Sequence, residues 1–188
     1  MSAYSKIRDG CIQVDATPGS GDLAQIDSGD TVSLVVLQRD PVLPDSTTSR
    51  VSLTLGSSIE SVDTVERTAQ EFAERAGFDE DTIPNIAMAV REAAVNAVIH
   101  GNAYSPDKQI TASFETNSDS LVVRIADQGT GLDPNAVPDP LAPENILRGS
   151  GRGIFLIKAF MDEVHFRQLH PGTELTLIKH RVPAQPPA

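Results

Sequence analysis

The sequence has no tryptophan, two tyrosines and six phenylalanines among its 188 residues. Large aromatic anchors are scarce, so the core must be assembled from Ala, Val, Ile and Leu. There is one cysteine, Cys11. That excludes an internal disulfide framework and fits a reducing compartment, with Cys11 read as a bystander rather than a nucleophile. Basic charge is in short supply. Fifteen Lys and Arg face 26 Asp and Glu, for a net charge of -11. Such a surface repels phosphates, which argues against a direct nucleic-acid partner and leaves room for a basic protein one. No apolar run reaches the length of a membrane span, and the N-terminus carries no signal-peptide pattern. The expected setting is therefore the cytoplasm, without membrane attachment. A chain of this length holds one domain with a sizeable core.

What is present centres on Ile83 to Gly101, IPNIAMAVREAAVNAVIHG. It reads as one long helix, with Pro84 near its start and Gly101 where a C-terminal glycine belongs. At 100° per residue, Ile83, Ile86, Val90, Ala94 and Ala97 form one apolar stripe. Met88, Val95 and Ile99 form a second. Between them runs a narrow polar stripe, Glu92, Asn96 and His100, spaced i, i+4, i+8. A helix apolar on most sides is normally buried. A carboxylate and an amide on it need partners. Either the stripe is a helix edge bonded to neighbouring backbone, or it lines a pocket for a charged ligand.

Around this helix the chain divides in three. Residues 1–49 carry Gly, Pro, Ser and Asp clusters and no Glu. They read as an extension, partly ordered at best, of unknown role. Within it Thr31 to Gln38 is strand-like and Cys11 to Val14 less so. An exposed strand there would be an association hazard, so it is expected to pair with something. Residues 50–182 read as the folded domain, and 183–188 as a disordered tail. In the domain, Val51 to Leu55 alternates as a strand. Ser57 and Glu60 make a capping-box pattern. Ile59, Val62, Val65, Ala69, Phe72 and Ala76 then follow at helical spacing, and Gly77 closes the helix. Ile110 to Phe114 and Leu121 to Ile125 read as strands joined by a turn at Asn117–Asp119. Residues 132–148 form a Pro-rich loop, Ile154 to Met161 a helix, and Val164–Leu169 with Glu174–Val182 a hairpin. Helices and strands come in runs, which predicts an α+β class, a two-layer sandwich of a mixed, largely antiparallel sheet with helices on one face.

Two glycine clusters flank the Pro-rich loop. Asp127-Gln128-Gly129-Thr130-Gly131 follows a strand. It is either an ordinary turn or a site where Asp127 accepts a hydrogen bond from the exocyclic amine of adenine while the glycines let backbone approach the base. Gly149-Ser150-Gly151-Arg152-Gly153 opens a helix. Free N–H groups and the helix dipole make that an anion site suited to a triphosphate. Each motif alone is weak, but their order and contexts are specific. Glu-x-x-x-Asn on a helix, Asp-x-Gly-x-Gly after a strand, a variable loop and Gly-x-Gly-x-Gly on a helix together resemble the GHKL (Bergerat-fold) ATPase superfamily. Within it, REAAVNAVIHGN, ADQGTGLDP and VPDPLAPENILRGSGRGIFLIKAFMDEV look like the anti-sigma regulatory factors, serine/threonine protein kinases of bacterial partner switching. The resemblance runs from about Arg50 to Val182 and does not reach the first 49 residues.

The resemblance implies ATP and Mg²⁺ as cofactors. It implies Asn96 as the Mg²⁺ ligand, Glu92 as the general base on a substrate Ser or Thr, and Asp127 on adenine. Gly129 and Gly131 would shape the adenine pocket, and Gly149, Gly151 and Gly153 would cradle phosphates. Residues 132–148 would be the lid. Read on their own, Arg148 and Arg152 are either solvated loop arginines or reach the γ-phosphate. It further implies a STAS-type anti-anti-sigma protein as substrate, a sigma factor as target and a homodimer. The competing reading is a nucleotide-gated binding module of the same fold without kinase activity; an intact Glu92 weighs against it. A histidine-kinase fragment would want a phosphoacceptor His upstream, and residues 1–49 contain none. His100 is expected to make a structural hydrogen bond and Asn102 to cap the turn. His165, His170 and His180 show no metal-ligand spacing.

Overall fold

The computed structural model describes residues 6–8, 11–13, 22–25, 31–34, 49–130 and 152–181. Its backbone bone-structure is a seven-stranded sheet in the order β3-β4-β5-β6-β7-β9-β8. The strands are β3 (Asp22–Gln25), β4 (Thr31–Leu34), β5 (Ser49–Gly56), β6 (Gln109–Thr116), β7 (Ser120–Ala126), β8 (Glu163–Gln168) and β9 (Thr173–His180). Every described pairing in the sheet is antiparallel. β1 (Lys6–Arg8) and β2 (Cys11–Gln13) form a separate two-stranded ribbon. The strand expected near Val32 does find partners: β4 pairs with β3 and, through Val32↔Leu53, with β5.

The helices are α1 (Ile59–Arg75), α2 (Thr82–Val95), a π-helical turn (Asn96–Gly101) and α3 (Arg152–Phe160). They pack on one face of the sheet. Strand alternation sends Val51, Leu53, Leu55, Ile110, Ala112, Phe114, Leu121, Val123, Ile125, Leu175 and Leu177 into one core with Val62, Val65, Ala69 and Phe72 of α1 and Ile86, Val90 and Ala94 of α2. The scarcity of aromatics shows here: among the described residues one ring pair, Phe72 and Phe114 with centroids 5.6 Å apart, ties α1 to the sheet. The two-layer α+β expectation holds.

Three local expectations shift. The N-cap of α1 is Ser58, whose Oγ accepts from Ser61 N at 3.3 Å. The cap falls one residue later than Ser57, which is buried with no partner for its hydroxyl among the described residues. Ile59, now the first helical residue, is 40% exposed rather than core. Most important, the long helix is α-helical only to Val95. From Asn96 the ladder widens, with Asn102 N donating to Ala97 O at 2.8 Å, and the extra residue per turn changes which side chains share a face. The second apolar stripe is also incomplete, and at its α-helical end, ahead of the π turn: Val95 and Ile99 pack against the core, whereas Met88 is 45% exposed.

Candidate functional site

α2 and its π turn carry the candidate residues in order. Asn96 opens the π turn and Glu92 lies one α-turn before it. Both are half-buried. His100 does not continue their stripe. Inside the π turn it is exposed, and its ring makes no hydrogen bond with another described residue, so the structural bond expected of it is absent among those residues. The start of α3 comes against the same face. A methyl group placed on Gly153 would sit 2.7 Å from Glu92 Oε2 and 3.6 Å from Asn96 Nδ2. Glu92, Asn96 and the first turn of α3 are therefore one cluster. The N–H groups of that turn have no earlier helical carbonyls to bond and carry the positive end of the dipole.

Asn96 is conspicuous within it. Its Nδ2 is buried and donates to no described residue. An amide can turn to present oxygen or nitrogen, so this is a polar end available to a ligand. Among the described residues no group of three His, Cys, Asp or Glu is arranged to hold a metal. Mg²⁺ is commonly held by one or two protein oxygens together with substrate phosphates and waters. The buried Asn96 amide, whose Nδ2 has no partner among the described residues, lies beside Gly153 in the first turn of α3 and fits an Mg-nucleotide.

Asp127, at the end of β7, forms the other pole. It is 9% exposed. Its Oδ1 accepts from Gly129 N at 2.7 Å and from Thr173 N at 3.3 Å, and its own N–H donates to Thr173 O at 3.0 Å. Oδ2 accepts from no described residue. Burial pushes the Asp127 carboxyl above the usual carboxylate range, against the pull of those two N–H donors and of the Lys108 charge. A methyl on Gly101 would overlap the Asp127 carboxyl carbon and lie 2.7 Å from Oδ2, and a methyl on Gly129 would overlap the Gly101 carbonyl. Gly101 is accordingly not a C-cap. It is small because the π turn must press against Asp127. The left-handed end of the helix falls instead on Ala103 (φ 53) and Tyr104 (φ 57).

Asn102 does more than cap. It is fully buried, donates from Nδ2 to Gln109 O at 3.0 Å, and accepts at Oδ1 from Gln128 N at 2.9 Å. It therefore clamps the start of β6 and the Asp127 turn onto the helix end. Asn102→Ala leaves both backbone groups unsatisfied and is expected to cost about 2–4 kcal/mol. Urea unfolding of the full chain checks this, and an unchanged midpoint would count against the clamp.

Gly131, Gly149, Gly151, Arg148 and the lid, 132–148, lie outside the described residues, as does the tail. Arg152 is placed by its backbone as the first residue of α3. The sequence reading missed Gly101 as a contact, Asn102 as a clamp and Thr173 as a partner of Asp127. It also missed the exposed bridge in which Glu163 accepts from His165 Nε2 and His180 Nε2, each at 2.9 Å.

Comparison with known proteins adds to the geometry. Residues 55–179 match the histidine kinase-like ATPase domain family. A serine-protein kinase RsbW of Staphylococcus epidermidis is 35% identical over 72% of this chain and 89% of its own length. The RsbW of Listeria innocua is 31% identical over 61% of this chain and 77% of its own. A crystal structure of the RsbU and RsbW domains of a Mycobacterium tuberculosis protein superposes with a TM-score of 0.50 at 22% identity. It covers 72% of this chain and 34% of that longer one, and it speaks to the fold.

Proposed function

The chain belongs to the histidine kinase-like ATPase family, and from that premise we propose how its site works. It is an ATP-binding serine/threonine protein kinase and anti-sigma factor of a partner-switching system. The observation that carries the reading of the site is the line along one helix face. Asp127 meets the π turn at Gly101, while Glu92, Asn96 and Gly153 meet one to two turns earlier. Adenine sits against Asp127, where Oδ2 accepts from the exocyclic amine. Phosphates sit at the start of α3, where Gly153 removes a side chain from their path. By the order of the sequence motifs Gly149, Gly151 and Arg152 would serve the same phosphates, and Gly131 would serve the adenine beside Gly129.

Asn96 would hold Mg²⁺, which when bound neutralises charge on the phosphates. Glu92, next to that cluster, accepts the proton of the incoming Ser or Thr hydroxyl. The acceptor oxygen then bonds to the γ-phosphorus as the bond to the β-phosphate oxygen breaks, leaving ADP. The protein substrate is a STAS-type anti-anti-sigma protein and the second partner is a sigma factor. We further read the working form as a cytoplasmic homodimer; no described helix is long and apolar enough to cross a membrane.

The test is direct. The purified chain is incubated with Mg-ATP and a purified STAS-type protein, and phosphosites are mapped by mass spectrometry. One phosphorylated Ser or Thr on the STAS-type protein is expected. Asn96→Ala should lower Mg-dependent ATP affinity by about 10–100-fold, as loss of a charge-assisted contact does. Nucleotide-dependent association without any phosphosite would replace the kinase by the gated binding module.

A further inference from the structure

The outward line of α2 does not stop at Glu92. Four residues earlier stands Met88, 45% exposed, and four before that the exposed Pro84. Pro84, Met88, Glu92 and Asn96 follow one another at i, i+4, i+8 and i+12, a single slowly turning stripe. Its N-terminal half is apolar and its C-terminal half polar, in a chain with 22% charged residues. Exposed apolar residues scattered singly need no explanation. Two in register with the candidate base are a different matter.

The placement also has a direction. The adenine pole at Gly101 and the phosphate pole at Glu92 are nine residues apart, about 14 Å along the axis at the α-helical rise and less across the widened turn, within the span of an extended ATP. The nucleotide therefore runs antiparallel to α2, its γ-phosphate pointing toward the helix N-terminus. Phosphoryl transfer is roughly in line, so the acceptor enters opposite the leaving β-phosphate oxygen. That is the Met88 side. The flanking charged pairs do not compete for it: Arg91, the neighbour of Glu92, is held by Asp63 and Glu66 of α1.

We propose that Met88 is a specificity-determining residue for the protein substrate, receiving an apolar side chain that lies two residues from the acceptor Ser or Thr. This rests on the kinase reading for the role of Glu92. Met88 is about 6 Å along the axis from Glu92, and an extended segment advances about 3.3 Å per residue. A hydroxyl delivered to Glu92 thus places its second neighbour over Met88. A methionine accommodates varied apolar shapes there.

The experiment compares wild type, Met88→Leu and Met88→Lys in the full chain, all good helix formers at an exposed position. The probe is a purified STAS-type protein, with the residues two before and two after its acceptor changed singly to Glu. Two quantities are read: its Kd in the presence of a non-hydrolysable ATP analogue, and KM and kcat for transfer. Met88→Lys should raise both Kd and KM by about tenfold or more, with ATP affinity and kcat little changed. Met88→Leu should behave as wild type. One of the Glu-bearing substrates should bind wild type poorly and regain affinity for Met88→Lys. Unchanged Kd and KM in Met88→Lys would overturn the inference. If wild type binds with this Met88 dependence but transfers no phosphate, the kinase reading falls and with it the placement relative to an acceptor, leaving Met88 as a partner contact alone.

Discussion

Glu92→Gln is expected to leave ATP bound and to cut phosphate transfer by about 10²–10⁴-fold, the ordinary worth of a positioned general base. The substitution is sterically neutral. Glutamine keeps the volume of the side chain that meets Gly153, so the first turn of α3 keeps its seat on α2. Only the capacity to take a proton is lost. An amide oxygen still accepts a hydrogen bond from the substrate hydroxyl, so the partner should continue to dock. Removing a negative charge beside the phosphates should leave ATP affinity unchanged or raise it. Single-turnover transfer and nucleotide titration, run on the same preparation, separate the two effects. Joint loss of binding and transfer would make Glu92 part of the nucleotide's seat instead. Transfer at the wild-type rate would remove it from the chemistry.

That Glu92 and Asn96 stand together was legible in the sequence while their surroundings were not, and the difference is one of range. Both sit on one helix, and a spacing of four is all that is needed to stack them. The strands β5 to β7 were equally readable, because alternation along Val51–Leu55 or Leu121–Ile125 is a local property. The Asn117 turn was found for the same reason: Asn117 Oδ1 accepts from Asp119 N and Ser120 N, each at 2.8 Å. By contrast, Thr173 reaches Asp127 across 46 residues and Asn102 reaches Gln128 across 26. No window along the chain contains both ends of either bond.

The π turn was hidden for another reason. A projection at 100° per residue assumes that every turn is alike. One widened turn after Val95 was enough to send His100 to solvent and to bring Gly101 against Asp127. Such widened turns are frequently associated with functional sites. Here it has an identifiable use, since the face that carries Glu92 and Asn96 is aligned with one pole of the cluster and the Gly101 backbone with the other. The off-by-one N-cap at Ser58 is a smaller case. Adjacent serines offer the same chemistry, and which of them caps depends on where β5 ends.

Asp127→Asn should be the more revealing change at the other pole. Asp127 Oδ1 is already committed to the N–H groups of Gly129 and Thr173. An asparagine must place its own oxygen there, since its NH₂ would face two donors. Its NH₂ then occupies the position of Oδ2 and meets the adenine amine donor to donor. ATP affinity is expected to fall by about 10²–10³-fold. The same NH₂ is complementary to the 6-oxo group of inosine or guanine, so the ratio of ITP to ATP affinity should rise. The pH dependence follows from the burial of this group. In the nucleotide-free fold the raised pKa favours the protonated carboxyl. Its contribution to stability is complete below the unfolded carboxylate range and is lost as pH rises through the folded value. At neutral pH the ionised side chain is a burden, so the Asn variant should unfold at an equal or higher temperature. ATP binding needs the ionised form, so wild-type affinity should weaken as pH falls through that raised pKa, and the Asn variant should lack this loss. Thermal unfolding without nucleotide and ATP and ITP titrations across acidic pH decide the matter. An Asn variant that unfolds early would show Asp127 to be structural. One that binds ATP normally would move adenine elsewhere.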